Sequence, residues 1–235
     1  MRNPESGSAI FYIFIAVALL AALSFAVSQS SRSSGKSLTE DRAQLAASEV
    51  ISYGDTNAKS VGQLRLRGTP DYAVLFSHIN ANATYGVYDT EPRAEVFNPQ
   101  GGGVIYRRAP DLAGIGAPLV YNYIGAYAVD DIGTTCTTAD CSELLMTVQG
   151  LRKEVCQLAN KLLGLGEATD EPPQEAAEPV TPYFAGAATG TPVPYTYVDT
   201  IGDDVGSSPL RGKTAGCYFN SGSTSYIYFQ VLLAR

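Results

Sequence analysis

This chain is short of histidine and of positive charge. One histidine, His78, stands among 235 residues, and the four cysteines at 136, 141, 156 and 217 include no Cys-x-x-Cys pair. Structural zinc sites take paired ligands at such spacings, so that chemistry is excluded. A lone histidine reads as structural. Lys and Arg total 16 against 23 Asp and Glu, for a net charge of −7. Adjacent basic residues occur only as Arg107-Arg108 and Arg152-Lys153. That is too little for a nucleic-acid footprint, and no nucleic-acid partner is expected.

Catalytic and cofactor signatures are missing as well. There is no Gly-x-Ser-x-Gly elbow. Gly212-Lys213-Thr214 ends like a phosphate-binding loop, but the glycine required five positions before Gly212 is Ser207. Strand-like residues also follow where the phosphate-binding helix should start. Gly101–Gly103 lacks the Gly-x-Gly-x-x-Gly pattern and reads as a turn. Asp199, Asp203 and Asp204 lack EF-hand spacing and read as a solvated acidic turn. Asn82-Ala83-Thr84 is a glycosylation sequon, which matters only in a host with the machinery. The chain is therefore expected to be no enzyme and to hold no cofactor or metal.

What the chain does have is one long apolar run. Ser8 to Ser28 is 21 residues without a charge, Pro or Gly. As a helix it would cover roughly 30 Å, the thickness of a bilayer's hydrocarbon core. Three readings stand open: a cleaved signal ending at Ser24-Phe25-Ala26, a plain membrane anchor, and a leader cut between Gly7 and Ser8 that leaves the apolar helix in place. Flanking charge leaves orientation ambiguous, with Arg2 on one side and Arg32 and Lys36 on the other. An even cysteine count behind a targeting segment reads as two disulfides in an oxidising compartment. Of three possible pairings, the favoured one joins Cys136 to Cys141 as a local loop. Cys156 would then join Cys217, tying a helix to the C-terminal strand.

Beyond the run, Ser37-Leu38-Thr39-Glu40 is a capping box. It predicts a helix over about 38–66, with a break near Gly54. Strand-like pieces follow at 72–76, 83–88, 94–97 and 104–107, the last two flanking a Gly-rich hairpin connection, and at 120–129. A second helix is expected at 143–148 or 151–163. Residues 166–194 read as a Pro-rich loop, and 226–233 as a central strand.

These parts resemble the layout of type IV pilin-like and pseudopilin proteins: the Gly7-ended leader, the Ser8–Ser28 helix with its helical extension, a β-rich domain and a disulfide near the C-terminus. That resemblance implies processing at Gly7 and Ser8. It also implies helix packing through Ala16, Ala18, Ala21 and Ala22, small residues that let helices approach closely. The chain departs from the pilin pattern at Tyr12, where typical pilins carry Glu as the fifth residue after the cut. Some pseudopilins of filament tips also lack it. AIFYIFIAVALLAALSFAVSQ, FNPQGGGVIY, ELLMTVQGLRKEVC and YFQVLLAR further resemble segments of uncharacterised single-pass proteins of proteobacteria.

The expected fold is α+β: a leader or cytoplasmic tip at 1–7, a transmembrane helix at 8–28, a helical stalk at 29–68, and a disulfide-bonded domain with an antiparallel β-sheet at 69–235. The expected location is the bacterial inner membrane, with the C-terminal domain in the periplasm or outside the cell. The expected partners are the membrane, other copies of the chain and other subunits of an envelope assembly. The expected role is a pilin-like subunit of an envelope filament or secretion assembly. The alternative is a membrane-tethered binding module that uses Tyr-rich loops.

Overall fold

The computed structural model describes residues 6–81, 83–115, 119–133, 142–179, 181, 184 and 195–235. Within the first helix, α1 (Ser6–Leu66), side chains are described at 12–21 and from 40 onward. The chain divides into two compact units, Met1–Arg42 and Ala43–Arg235.

In the larger unit, α1 buries Ala43, Ala46, Ala47, Val50, Tyr53, Asn57, Val61 and Leu64 at helical three- and four-residue spacing. Gly54 does not break it. A Cβ there would lie 3.2 Å from side-chain atoms of Gln230 and Met146. Glycine at this position lets the helix lie close against the sheet, and that need outweighs its weak helix propensity.

The sheet contains β1 (Asn122–Val129), β2 (Glu143–Leu151), β3 (Gln174–Glu175), β4 (Asp199–Ile201), β5 (Ala215–Asn220) and β6 (Ser225–Leu233), with α2 (Lys153–Leu162) between β2 and β3. The strand order is β3-β5-β6-β2-β1-β4. β1–β2, β2–β6 and β5–β6 are antiparallel, whereas β1–β4 and β3–β5 are parallel. Side chains alternate between faces along each strand. On β2, Leu144, Met146 and Val148 join the core shared with α1 and α2, while Leu145 joins a second core with Ile124, Ile201, Leu210, Ile227 and Phe229. The two edge strands are brought together across this second core. Glu175 of β3 accepts the Gly202 N–H just past β4 at 2.7 Å, and the Gln174 N–H donates to the Gly206 carbonyl at 3.2 Å. The sheet is thus nearly closed, and its seam is joined partly by a carboxylate.

Several expectations are corrected. Among the described residues no helix is long and apolar enough to cross a membrane. Neither the transmembrane helix nor the inner-membrane location is retained. The stalk is corrected too: from Ala43 onward α1 is a core element of the larger unit, because its apolar stripe is buried. The sheet is mixed, not antiparallel. Residues 143–148 are strand, because the ladder between β1 and β6 buries both of their faces. Segments 72–76 and 83–88 form 3-10 turns and extended chain. Segments 94–97 and 104–107 meet through a Val104 N–H to Val96 carbonyl bond but build no strand pair. The helix expected at 151–163 is α2, and the terminal strand is central as expected.

Candidate assembly surface

In the unit Met1–Arg42, the helix presents apolar side chains in every direction. Tyr12, Ile13, Phe14, Ile15, Val17, Leu19 and Leu20 are all exposed, Phe14 at 70 % and Leu20 at 68 %. Successive residues turn by about 100°, so the nine positions 12–20, with Ala16 and Ala18 among them, circle the helix more than twice and leave no polar face. A helix that is apolar all round belongs in an interior, and an exposed patch of this kind marks an interaction surface. Ala16, Ala18 and Ala21 are exposed notches among the larger side chains. The side chain of Ala22 lies outside the described residues. Gly7 and Ser8 fall in the first turn of α1.

The larger unit is held by covalent and polar ties. Cys156 of α2 is bonded to Cys217 of β5, with 5.4 Å between their Cα atoms. One helical turn on, Asn160 is buried and pairs with the backbone of Cys217. Its Nδ2 donates to the Cys217 carbonyl at 2.7 Å, and its Oδ1 accepts the Cys217 N–H at 2.8 Å. Cys136 and Cys141 lie outside the described residues; among the described ones no cysteine is free.

Between α1 and the sheet runs a phenol-rich core. The Tyr123 hydroxyl donates to Asn57 Oδ1 at 3.2 Å, and Asn57 Nδ2 donates to the Tyr53 carbonyl. The Tyr228 hydroxyl donates to Gln230 at 3.0 Å. Burial holds the Tyr123 and Tyr228 phenols well above their ordinary range, so they stay neutral donors. His78 stacks on Tyr106 with ring centroids 4.5 Å apart, and its Nδ1 accepts the Asn80 N–H. Partial burial lowers its pKa. It is an aromatic packing residue, as a lone histidine suggests.

Carboxylates are the buried groups that sequence reasoning missed. Glu143 is fully buried, and its Oε2 accepts the Val129 N–H at 2.8 Å while Oε1 has no partner. Burial raises its pKa to about 7, against the lowering effect of the Arg235 charge. Glu175 is 2 % exposed, and its pKa is likewise raised by burial. It lies with Asp203 and Asp204 in a group whose ligand atoms fall within 4.8 Å of one another. Its two oxygens are taken up by the N–H groups of Ala176, Ala177 and Gly202. The group therefore works as a fastening of the seam. The sequence around 143 and 175 gave no signal of this, because a strand's period says which face a residue takes but not what meets it there. Comparison with family models, with curated proteins and with solved structures finds no match to this chain.

Proposed function

We propose that this chain is a pilin-like or pseudopilin-like structural subunit, one that assembles with copies of itself through its apolar N-terminal helix. The observation that carries this reading is the full circle of exposed apolar side chains from Tyr12 to Leu20. A helix that is apolar on every side must be covered to be stable in water. A second copy offers a surface of the same chemistry and length. Ala16, Ala18 and Ala21 reduce the bulk at the contact, so that neighbouring backbones approach closely and gain dispersion contacts. The layout of leader, apolar helix and disulfide-bonded β-rich body agrees with that role.

The test is site-specific cross-linking from position 14 in the full chain. Wild type should give multimers. Ala18→Leu and Ala21→Leu keep the helix apolar while filling the notches, so they should reduce the multimers at unchanged protein level. Multimers undiminished in both variants, or none in wild type, would overturn the reading.

A further inference from the structure

Val205 is 99 % exposed, although it is apolar and sits in a well-tied turn. The turn Gly202–Gly206 closes the seam of the sheet. Glu175 accepts the Gly202 N–H, the Ala176 N–H donates to Asp204 Oδ2 at 2.9 Å, and the Ser207 N–H and hydroxyl both donate to the Asp204 carbonyl. An apolar knob is thus held rigidly in water. Asp203 and Asp204 stand beside it, both exposed, and among the described residues no Lys or Arg comes within ion-pair distance of either. Between Lys161 and Arg211 the sequence holds eight carboxylates and no basic residue.

Elsewhere on the same unit lies an open groove of about 480 Å³. Pro70, Ala73, Pro92 and Ala94 supply its apolar lining, and Arg93 and Glu91 its charged rim. Arginines stand close to it. Arg65 donates to the Thr69 carbonyl and shares Asp71 with Arg235, and Arg67 reaches the Gly101 carbonyl at 2.8 Å. Arg65, Arg67, Arg93 and Arg235 are thus near the acidic Asp71, Glu91 and buried Glu95. Among the described residues Arg93 has no carboxylate within ion-pair distance.

We infer that the Val205 knob of one copy seats in the Pro70–Pro92 groove of a second copy, with Asp203 and Asp204 facing Arg93. Apolar knob meets apolar groove, and carboxylates that have no ion-pair partner meet a guanidinium that has none. The rigid turn keeps the ordering cost of docking low, and the opposed charges set register. Knob and groove are different surfaces of one chain, so the contact is head-to-tail and propagates into a ring or a filament. The inference rests on the self-assembly reading and adds to it a second contact, between the larger units.

The experiment is disulfide trapping in the full chain. Val205→Cys with Ala73→Cys should give a ladder on non-reducing gels after mild oxidation, and neither single variant should. Adding Arg93→Glu should cut the ladder by about fivefold at low salt and by less at high salt, as expected for an exposed charge contact. Circular dichroism of the same samples checks that the fold survives. No ladder from a preparation that still cross-links at position 14, or dimers from Val205→Cys alone, would overturn the knob-and-groove contact and leave the helix contact standing. A ladder that persists when cross-linking at position 14 is absent supports this contact and sinks the helix reading instead.

Discussion

Asn160 reads the backbone of Cys217 from both sides: its amide nitrogen donates to that residue's carbonyl and its amide oxygen accepts from that residue's N–H. The same β5 residue is bonded covalently to Cys156, four positions earlier on α2. Residues four apart share a helix face, so one turn of α2 holds one strand residue by a disulfide and by two hydrogen bonds. Replacing Asn160 by Ala leaves a buried N–H and a buried carbonyl without partners. The expected loss is about 2–4 kcal/mol, read as a lower midpoint in urea denaturation. An unchanged midpoint would show that water replaces the amide at no cost.

The disulfide closes a loop of 61 residues, and the chain-entropy model assigns such a loop about 4 kcal/mol. Cys156→Ala with Cys217→Ala should therefore lower the melting temperature more than any single surface change. Combined with Asn160→Ala, the losses should fall short of the sum, because both ties act on the same strand residue. Strict additivity in a double-mutant cycle would argue that they act independently.

Stability should fall as pH rises from acid toward neutral. Glu143 has its pKa raised from an ordinary 4.5 to about 7 by burial, so the folded state binds its proton more tightly than the unfolded chain does. Its contribution is complete below about 4.5 and is lost as pH rises through about 7. Glu175, also raised, adds a slope of the same sign. Glu143→Gln keeps an acceptor for the Val129 N–H and does not titrate. Melting temperatures measured from pH 4.5 to 7.5 should decline in wild type and decline less steeply in this variant. Parallel curves would remove Glu143 as the source.

Two glycines should respond oppositely to alanine. A Cβ on Gly102 would fall 2.1 Å from Ser60 Oγ and 2.5 Å from the Val96 carbonyl oxygen, whereas one on Gly62 of α1 meets nothing within 4 Å. Gly102→Ala should cost about 2 kcal/mol or more, as overpacking against backbone does. Gly62→Ala should stabilise by up to about 1 kcal/mol through helix propensity. Thermal melting of the two variants checks the contrast, and equal shifts would refute it.

Local signals in the chain were strong where one segment determines its own structure. The apolar recurrence from Leu38 to Leu64 announced a helix, and its buried face begins at Ala43. The β-branched and aromatic run at 226–233 announced a central strand. The pairing of Cys156 with Cys217 was favoured because a short Cys136–Cys141 loop is the easiest to close and leaves those two, although Cys217 lies on β5 and not on the terminal strand. Where the outcome depends on what lies opposite in space, the sequence was silent or misleading. Glu143–Val148 suits a helix by propensity, yet it is a strand because β1 and β6 flank it. Gly54 looks like a break, yet it is a point of close approach because Gln230 and Met146 lie against it. The parallel edges β3 and β4, the carboxylate that joins them, and the knob at Val205 follow from contacts between residues far apart in the chain. Composition and periodicity determined which residues seek an interior; only the tertiary structure decided which partners they found, because burial and register are properties of pairs and not of single residues.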